Sequence, residues 1–301
     1  MRCNLQKISE RLISEGLLDK NQTAYCGTYG RNIKLYFPEK KTNHGLFIKC
    51  SMDNNIEKEC RTLNAVADHF KGYAVQPLRF WREGRFSVAA YPLRQLAVIR
   101  PEQFAWPGIE DQLVKLFSLF FSQSRDFQLE SIVPDKELIS FYEHSHFSFF
   151  DALKSCFLGS MHEIRKKYGK TNQHGDFAIN NIAVDTRGKL ILFDWEDFGR
   201  INYPFFDLAT LAFSNVLSQD KVEELGEDPG ILSDFPGADM VALVCRQQGM
   251  SINSFKKHFP FYMMLFIYLK QDLAYGDYII ARLKKFLDRA SNSKKWASYL
   301  H

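Results

Sequence analysis

His174-Gly175-Asp176-Phe177-Ala178-Ile179-Asn180-Asn181 is followed by an apolar run that closes on Phe193-Asp194-Trp195, the second aspartate lying thirteen residues past Asn181. A carboxylate, a carboxamide five residues on and a further carboxylate are the groups that metal-assisted phosphoryl transfer asks of one short segment. Moving the terminal phosphoryl group of a nucleotide onto a hydroxyl needs a residue that orients and deprotonates the hydroxyl. It also needs a divalent cation to neutralise charge gathering on the phosphate oxygens. Asp176 suits the first task. Asn181 offers a neutral carbonyl oxygen and Asp194 an anionic one, a pair that suits Mg²⁺, a hard ion that keeps several waters.

Between the two ligands lies Ile182-Ala183-Val184-Asp185-Thr186-Arg187-Gly188-Lys189-Leu190-Ile191-Leu192-Phe193. Two apolar runs flanking a glycine-containing turn predict a hairpin, with Asn181 leading into the first strand and Asp194 leaving the second.

The pattern H-G-D-x-x-x-x-N, then an apolar strand ending in D-W-E, then P-x-x-D-L-A at Pro204 to Ala209, resembles the aminoglycoside phosphotransferase and choline kinase superfamily, relatives of the protein kinases. The matching signatures cover about 35 residues, in order and mutually spaced. The resemblance implies a bilobal, protein-kinase-like α+β fold: a small antiparallel-sheet N-terminal lobe and a larger, mainly helical C-terminal lobe. It further implies that Asp176 is the catalytic base, that Asn181 and Asp194 hold Mg²⁺, and that Asp207 is a structural acid bracing the catalytic loop from a helix. His174 is expected to brace the same loop. Glu196 and Asp197 are open between a binding role and a solvated surface pair.

Nucleotide binding is expected in the first ninety or so residues. Leu46-Phe47-Ile48-Lys49-Cys50 reads as a buried strand carrying one lysine, the expected partner of the α and β phosphates of ATP or GTP. Ile56, Leu63, Val66, Ala67 and Phe70 recur near helical spacing, and Glu59 on that helix is similar in context to the glutamate that holds such a lysine; Glu57 is the alternative. Tyr25 to Asn32, with Gly27, Thr28 and Gly30, is the candidate phosphate-covering loop, because glycine lets backbone N–H groups approach phosphate. Phe86 to Leu93 is an apolar strand ended by proline. It resembles the hinge at about residues 90–94, where Ala90, Tyr91 and Leu93 would meet an adenine ring.

The division expected is an N-terminal nucleotide-clamping lobe over residues 1–92 and a C-terminal lobe over 93–301 carrying the catalytic loop and acceptor site. Past residue 93, apolar residues recur every three or four positions over Gly108 to Phe121, Glu137 to Tyr168, Phe205 to Leu217, Ala238 to Gln248, Ser254 to Leu273 and Tyr278 to Ser291. With 301 residues, 46% hydrophobic and 25% charged, the chain can bury two cores and shows no disordered tract. No apolar leader opens it, and the run Phe259 to Leu269 is too short to span a bilayer, so a cytoplasmic protein without a membrane span is expected. Six cysteines without C-x-x-C pairs indicate neither zinc nor disulfides, and a net charge of +4 with scattered basic clusters does not mark a nucleic-acid partner.

Gly175 stands where protein kinases carry the arginine that receives an activation-loop phosphate, and only twelve residues separate Asp194 from Asp207. That leaves little room for a platform to dock a peptide. A small-molecule hydroxyl acceptor is expected, such as an aminoglycoside, choline, ethanolamine or thiamine. A sugar or surface-glycan kinase and a catalytically silent kinase-like binding module are the alternatives. Seven acids between Asp220 and Asp239 are either the lining for a cationic acceptor or a solvated loop. The aromatic stretch Phe141 to Phe150 is either a stacking platform or core.

Overall fold

The apolar run around Lys49 forms β3 (Leu46–Ser51), the middle strand of a five-stranded antiparallel sheet. Its order is β1 (Tyr25–Tyr29), β2 (Asn32–Phe37), β3, β5 (Phe86–Pro92), β4 (Arg79–Glu83). Strand periodicity sorts its side chains. Ile48 and Cys50 join a core with Val88, Ala90, Trp81 and the α1 (Leu5–Ser14) residues Ile8 and Leu12. Lys49, between them, points to the opposite face, where helix α2 (Asn55–Val66) packs on β3 and β5.

The computed structural model describes residues 5–20, 22, 24–29, 32–38, 45–70, 72–93, 96–123, 132–145, 147–271 and 276–300. Two units divide the chain: Met1–Ala97 with Val184–Glu196, and Val98–Ala183 with Asp197–His301. The sequence places the division at residue 92 and assigns everything beyond it to the larger lobe. The segment 184–196 instead belongs with the first unit, and local contacts explain why. β8 (Leu190–Leu192) forms a parallel bridge to Ala74, and the Leu192 N–H donates to the Tyr73 carbonyl at 2.6 Å. Trp195, fully buried, sets its ring 5.4 Å from that of Phe70. A short β6 (Leu96–Val98) runs across the end of the first sequence block. The predicted hairpin is present: β7 (Ile182–Asp185) pairs with β8, and the Asp185 carboxylate caps the turn by accepting the Arg187 and Lys189 N–H groups.

The second unit is helical, with α3 (Pro107–Gln123), α4 (Asp135–His144), α5 (Phe150–Tyr168), α6 (Phe206–Ser218), α7 (Val222–Glu227), α8 (Ala238–Gln247), α9 (Ile252–Lys270), α10 (Gly276–Asn292) and α11 (Lys294–Leu300). α9 is its axis: almost every side chain from Phe255 to Lys270 is buried, and α4, α5, α6, α8, α10 and α11 all pack on it. The helix read over Glu137 to Tyr168 is two, because α4 ends at His144 and α5 begins at Phe150, with Ser145 and residues 147–149 outside both. Tyr142, Phe149 and Phe150 of the aromatic stretch are core: Tyr142 stacks on Phe150 at 5.4 Å and meets Phe157 at 5.0 Å. Among the described residues no helix is long and apolar enough to cross a membrane, and Cys26, Cys50, Cys60, Cys156 and Cys245 are free thiols.

Candidate active site

Within the first unit, Lys49 binds two acids at once. Its Nζ lies 2.8 Å from Glu59 Oε2 and 2.5 Å from Asp194 Oδ1. The lysine is 8% exposed and the glutamate 4%, so water screens their attraction little. Burial alone would depress the Lys49 ammonium, but Asp194 and Glu59 together outweigh it and hold the group well above its ordinary value. Glu59 is pushed up by burial and by Asp194, with Lys49 pulling the other way. Tyr91 completes the cluster, giving Glu59 a further hydrogen bond while its hydroxyl stands 3.9 Å from the Cys60 sulfur. Glu57 is excluded as the partner of Lys49: it points outward and pairs with Arg61 and Arg82.

The backbone puts Asp194 in place. Its φ of 54° is left-handed, a conformation aspartate tolerates better than most residues, and the turn is pinned by the Trp195 Nε1–H donating to the Leu192 carbonyl at 3.2 Å. β8 supplies the apolar anchor and the left-handed residue turns the carboxylate toward Lys49.

Within the second unit, the loop from His174 to Asn181 is held by Asp207. The fully buried Asp207 carboxylate accepts the His174 N–H at 2.5 Å and the Gly175 N–H at 2.9 Å. Burial pushes its pKa up to about 7, while those two N–H donors pull it down. His174 is buried, edge-on to Phe177 at 5.9 Å, as a bracing residue would be. Phe177 in turn packs among Phe117 and Phe120, and its carbonyl accepts from Thr210 at 3.4 Å. Gly175 has φ 89°, and a Cβ there would stand 2.4 Å from the Asp197 carbonyl oxygen.

That anchored loop presents Asp176 and Asn181 together. The Asn181 Nδ2 donates to both the Asp176 carbonyl and Asp176 Oδ2, each at 2.9 Å. This fixes the amide with its nitrogen toward Asp176; its carbonyl oxygen accepts from Asn180 Nδ2 at 3.3 Å and keeps a second lone pair that it can offer a cation. The other Asp176 oxygen, Oδ1, is 2.9 Å from Lys270 Nζ at the end of α9. Lys270 also lies 3.5 Å from Asp197 Oδ2, and Asp197 Oδ1 accepts from Arg200 at 3.0 Å. Asp197 is therefore a buried, paired acid, 6% exposed, and not a solvated one.

Lys270 is not legible in the sequence, because a lysine ending an apolar helical run looks like an ordinary helix terminus. Its burial depends on α9 being enclosed on all sides. Of the expected phosphate-covering residues, Gly27 and Thr28 lie in β1, paired with Lys34 and Ile33 of β2; Gly30 lies outside the described residues. The Ala90 carbonyl accepts the Leu78 N–H and the Leu93 N–H donates to Gly45, each at 2.7 Å, so these two backbone groups are engaged inside the first unit. In the acidic segment, Asp220 pairs with Arg282, Glu223 with Lys285 and Arg289, Glu227 with Arg289, and Asp228 with Lys295. Glu223 and Glu227 lie on the six-residue helix α7, whose acids are tied to α10.

Each unit offers an oxygen of the kind Mg²⁺ takes. Asn181 and Asp194 are both hard oxygen donors, and among the described residues no group of three or more His, Cys, Asp or Glu side chains gathers as an all-protein cage. Mg²⁺ commonly takes one or two protein oxygens and completes its shell with phosphate and water.

No protein-family model matches the sequence, and no curated protein matches it. Solved structures do. Choline kinase LicA from Streptococcus pneumoniae is similar with a TM-score of 0.60 at 17% identity, over 94% of this chain and 97% of that one. A mutant aminoglycoside 2'-phosphotransferase-IIIa in complex with GDP aligns with a TM-score of 0.65 at 13% identity, over 96% and 98%. A thermostable mutant of aminoglycoside phosphotransferase APH(4)-Ia, in ternary complex with ADP and hygromycin B, aligns with a TM-score of 0.59 at 12% identity, over 96% and 99%. The chain thus has, along nearly its whole length, the kinase-like α+β fold of choline kinase and the aminoglycoside phosphotransferases, the superfamily that its motifs resemble.

Proposed function

We propose that this protein is a small-molecule kinase that transfers the terminal phosphoryl group of ATP or GTP onto a hydroxyl. The observation that carries the reading is the buried Lys49 held by Glu59 and Asp194. A strand lysine paired with a helix glutamate, beside an aspartate suited to the metal, is the arrangement kinases need for phosphoryl transfer. Asp176 is then the base that takes the hydroxyl proton, kept in place by Asn181 and by the backbone that Asp207 anchors. Asn181 and Asp194 would hold Mg²⁺, which, when bound, neutralises charge on the phosphate oxygens. Lys49 steadies the phosphates nearer the nucleoside. The nucleotides named in the similar structures, AMP, ADP and GDP, are consistent with a nucleotide donor and leave the choice between ATP and GTP to experiment.

The acceptor is a small hydroxyl compound, an amino-alcohol or aminoglycoside in the first reading. A neutral sugar or glycan is the second reading, favoured by one observation: Asp220, Glu223, Glu227 and Asp228 are neutralised by their own basic partners, which reduces the free carboxylate available to a polycation. Phosphate transfer from labelled ATP and GTP, with Mg²⁺, over a panel of amines, amino-alcohols and sugars decides between them, with Asp194→Ala as the blank. Transfer by the wild type and none by the blank is expected. A wild type that transfers to nothing and shows no Mg²⁺-dependent thermal shift with nucleotide would instead mark a silent binding module.

A further inference from the structure

We propose that Lys270 is a positioning residue for Asp176, an assignment that rests on the kinase reading above. The loop from His174 to Asn181 contains no lysine or arginine of its own. The positive charge beside its aspartate comes instead from α9, ninety-four residues later in the chain, through a 2.9 Å contact between Lys270 Nζ and Asp176 Oδ1. Lys270 is 2% exposed, so the contact is made where water does little to weaken it.

The arrangement divides the Asp176 carboxylate between two fixed donors. Oδ1 faces Lys270 and Oδ2 faces the Asn181 amide, so the plane of the carboxylate is set from both sides. Each oxygen has a second lone pair, which leaves room to accept a proton without breaking either contact. Lys270 is itself held by Asp197, whose other oxygen is tied to Arg200, so the ammonium cannot swing away without exposing a buried acid.

In the transfer step the acceptor oxygen forms a bond to the γ-phosphorus as its proton passes to Asp176. The bond from that phosphorus to the β–γ bridging oxygen breaks, and its electron pair leaves with the nucleoside diphosphate. Lys270 acts throughout by way of the Asp176 carboxylate.

The test compares Lys270→Met, Asp176→Asn and the double variant, using acceptor phosphorylation and acceptor-independent hydrolysis of Mg²⁺-ATP as readouts. Lys270→Met is expected to lower kcat about 10²-fold, the cost of a misplaced catalytic group, with KM for ATP within about twofold of wild type. In the Asp176→Asn background the same substitution should add less than about threefold, because effects of groups that act as a unit do not multiply. Lys270→Arg should recover at least about tenfold of the loss, since it restores the charge. Unchanged kcat in folded Lys270→Met, or losses that multiply in the double variant, would overturn the assignment. Should Lys270→Met not fold, Lys270→Gln is read by the same criteria, and loss of folding in both would give Lys270 a purely structural role. A wild type inactive in both readouts removes the kinase reading itself, a result distinct from any of these.

Discussion

Asp207 Oδ1 accepts the backbone N–H of Gly175 at 2.9 Å, and this bond joins helix α6 to the loop that carries the proposed base. A buried carboxylate that satisfies two N–H groups cannot be removed without orphaning both. Asp207→Ala is therefore expected to cost about 2–4 kcal/mol of stability, the sum of two unsatisfied buried donors, read as a lower urea midpoint at unchanged slope. Asp207→Asn keeps one acceptor and turns an amide N–H toward the second donor, so it should fall between wild type and alanine.

Asp176→Asn should leave the protein folded and able to bind nucleotide while lowering turnover by at least about 10²-fold, the contribution expected of a general base. A Mg²⁺-ATP thermal shift equal to that of wild type, alongside lost transfer, is the expected pair of results. Wild-type turnover in this variant would remove Asp176 from the mechanism.

Lys49→Met leaves Glu59 and Asp194 without the cation that faces both. Breaking a buried pair on one side costs about 3–5 kcal/mol, so urea unfolding should show a loss of that order. Adding Glu59→Leu to Lys49→Met takes away the stranded buried acid. It should restore most of the stability and none of the phosphoryl transfer, which separates the electrostatic role of the pair from its contribution to folding.

His258 supplies a pH dependence that is independent of catalysis. Burial lowers its pKa from 6.5 to about 4, with Glu163 opposing and Lys257 adding to the effect, and its Nδ1 lies 2.9 Å from Ser160 Oγ. The unfolded chain takes up the proton first as pH falls. Stability from the neutral ring is thus complete above pH 6.5 and declines toward pH 4, by about 3 kcal/mol in all. Urea midpoints between pH 7 and 4.5 should drop steeply in the wild type and less in His258→Gln.

The β7–β8 hairpin, the strand around Lys49 and the loop from His174 to Asn181 are legible in the sequence because turn chemistry, period-two apolarity and fixed spacing are local properties. Glu59 and Glu57 are harder to separate, since both sit on one amphipathic helix and the choice depends on which face meets the sheet. Lys270 and the burial of Asp197 are out of reach of sequence, because each depends on partners brought from far along the chain. The acidic residues between Asp220 and Asp228 show the same limit in reverse. Their abundance leaves a cationic ligand and a solvated loop equally open, whereas their partners lie some sixty to seventy residues downstream on α10 and α11.

The space around Gly175 also restricts what this lineage could become. With a left-handed backbone and the Asp197 carbonyl 2.4 Å from where a Cβ would be, an arginine there would displace the peptide at 197. A phosphate-sensing residue at that point would require coordinated rebuilding of two segments at once. Evolution toward phosphorylation-gated control is thereby obstructed by steric exclusion at one α-carbon.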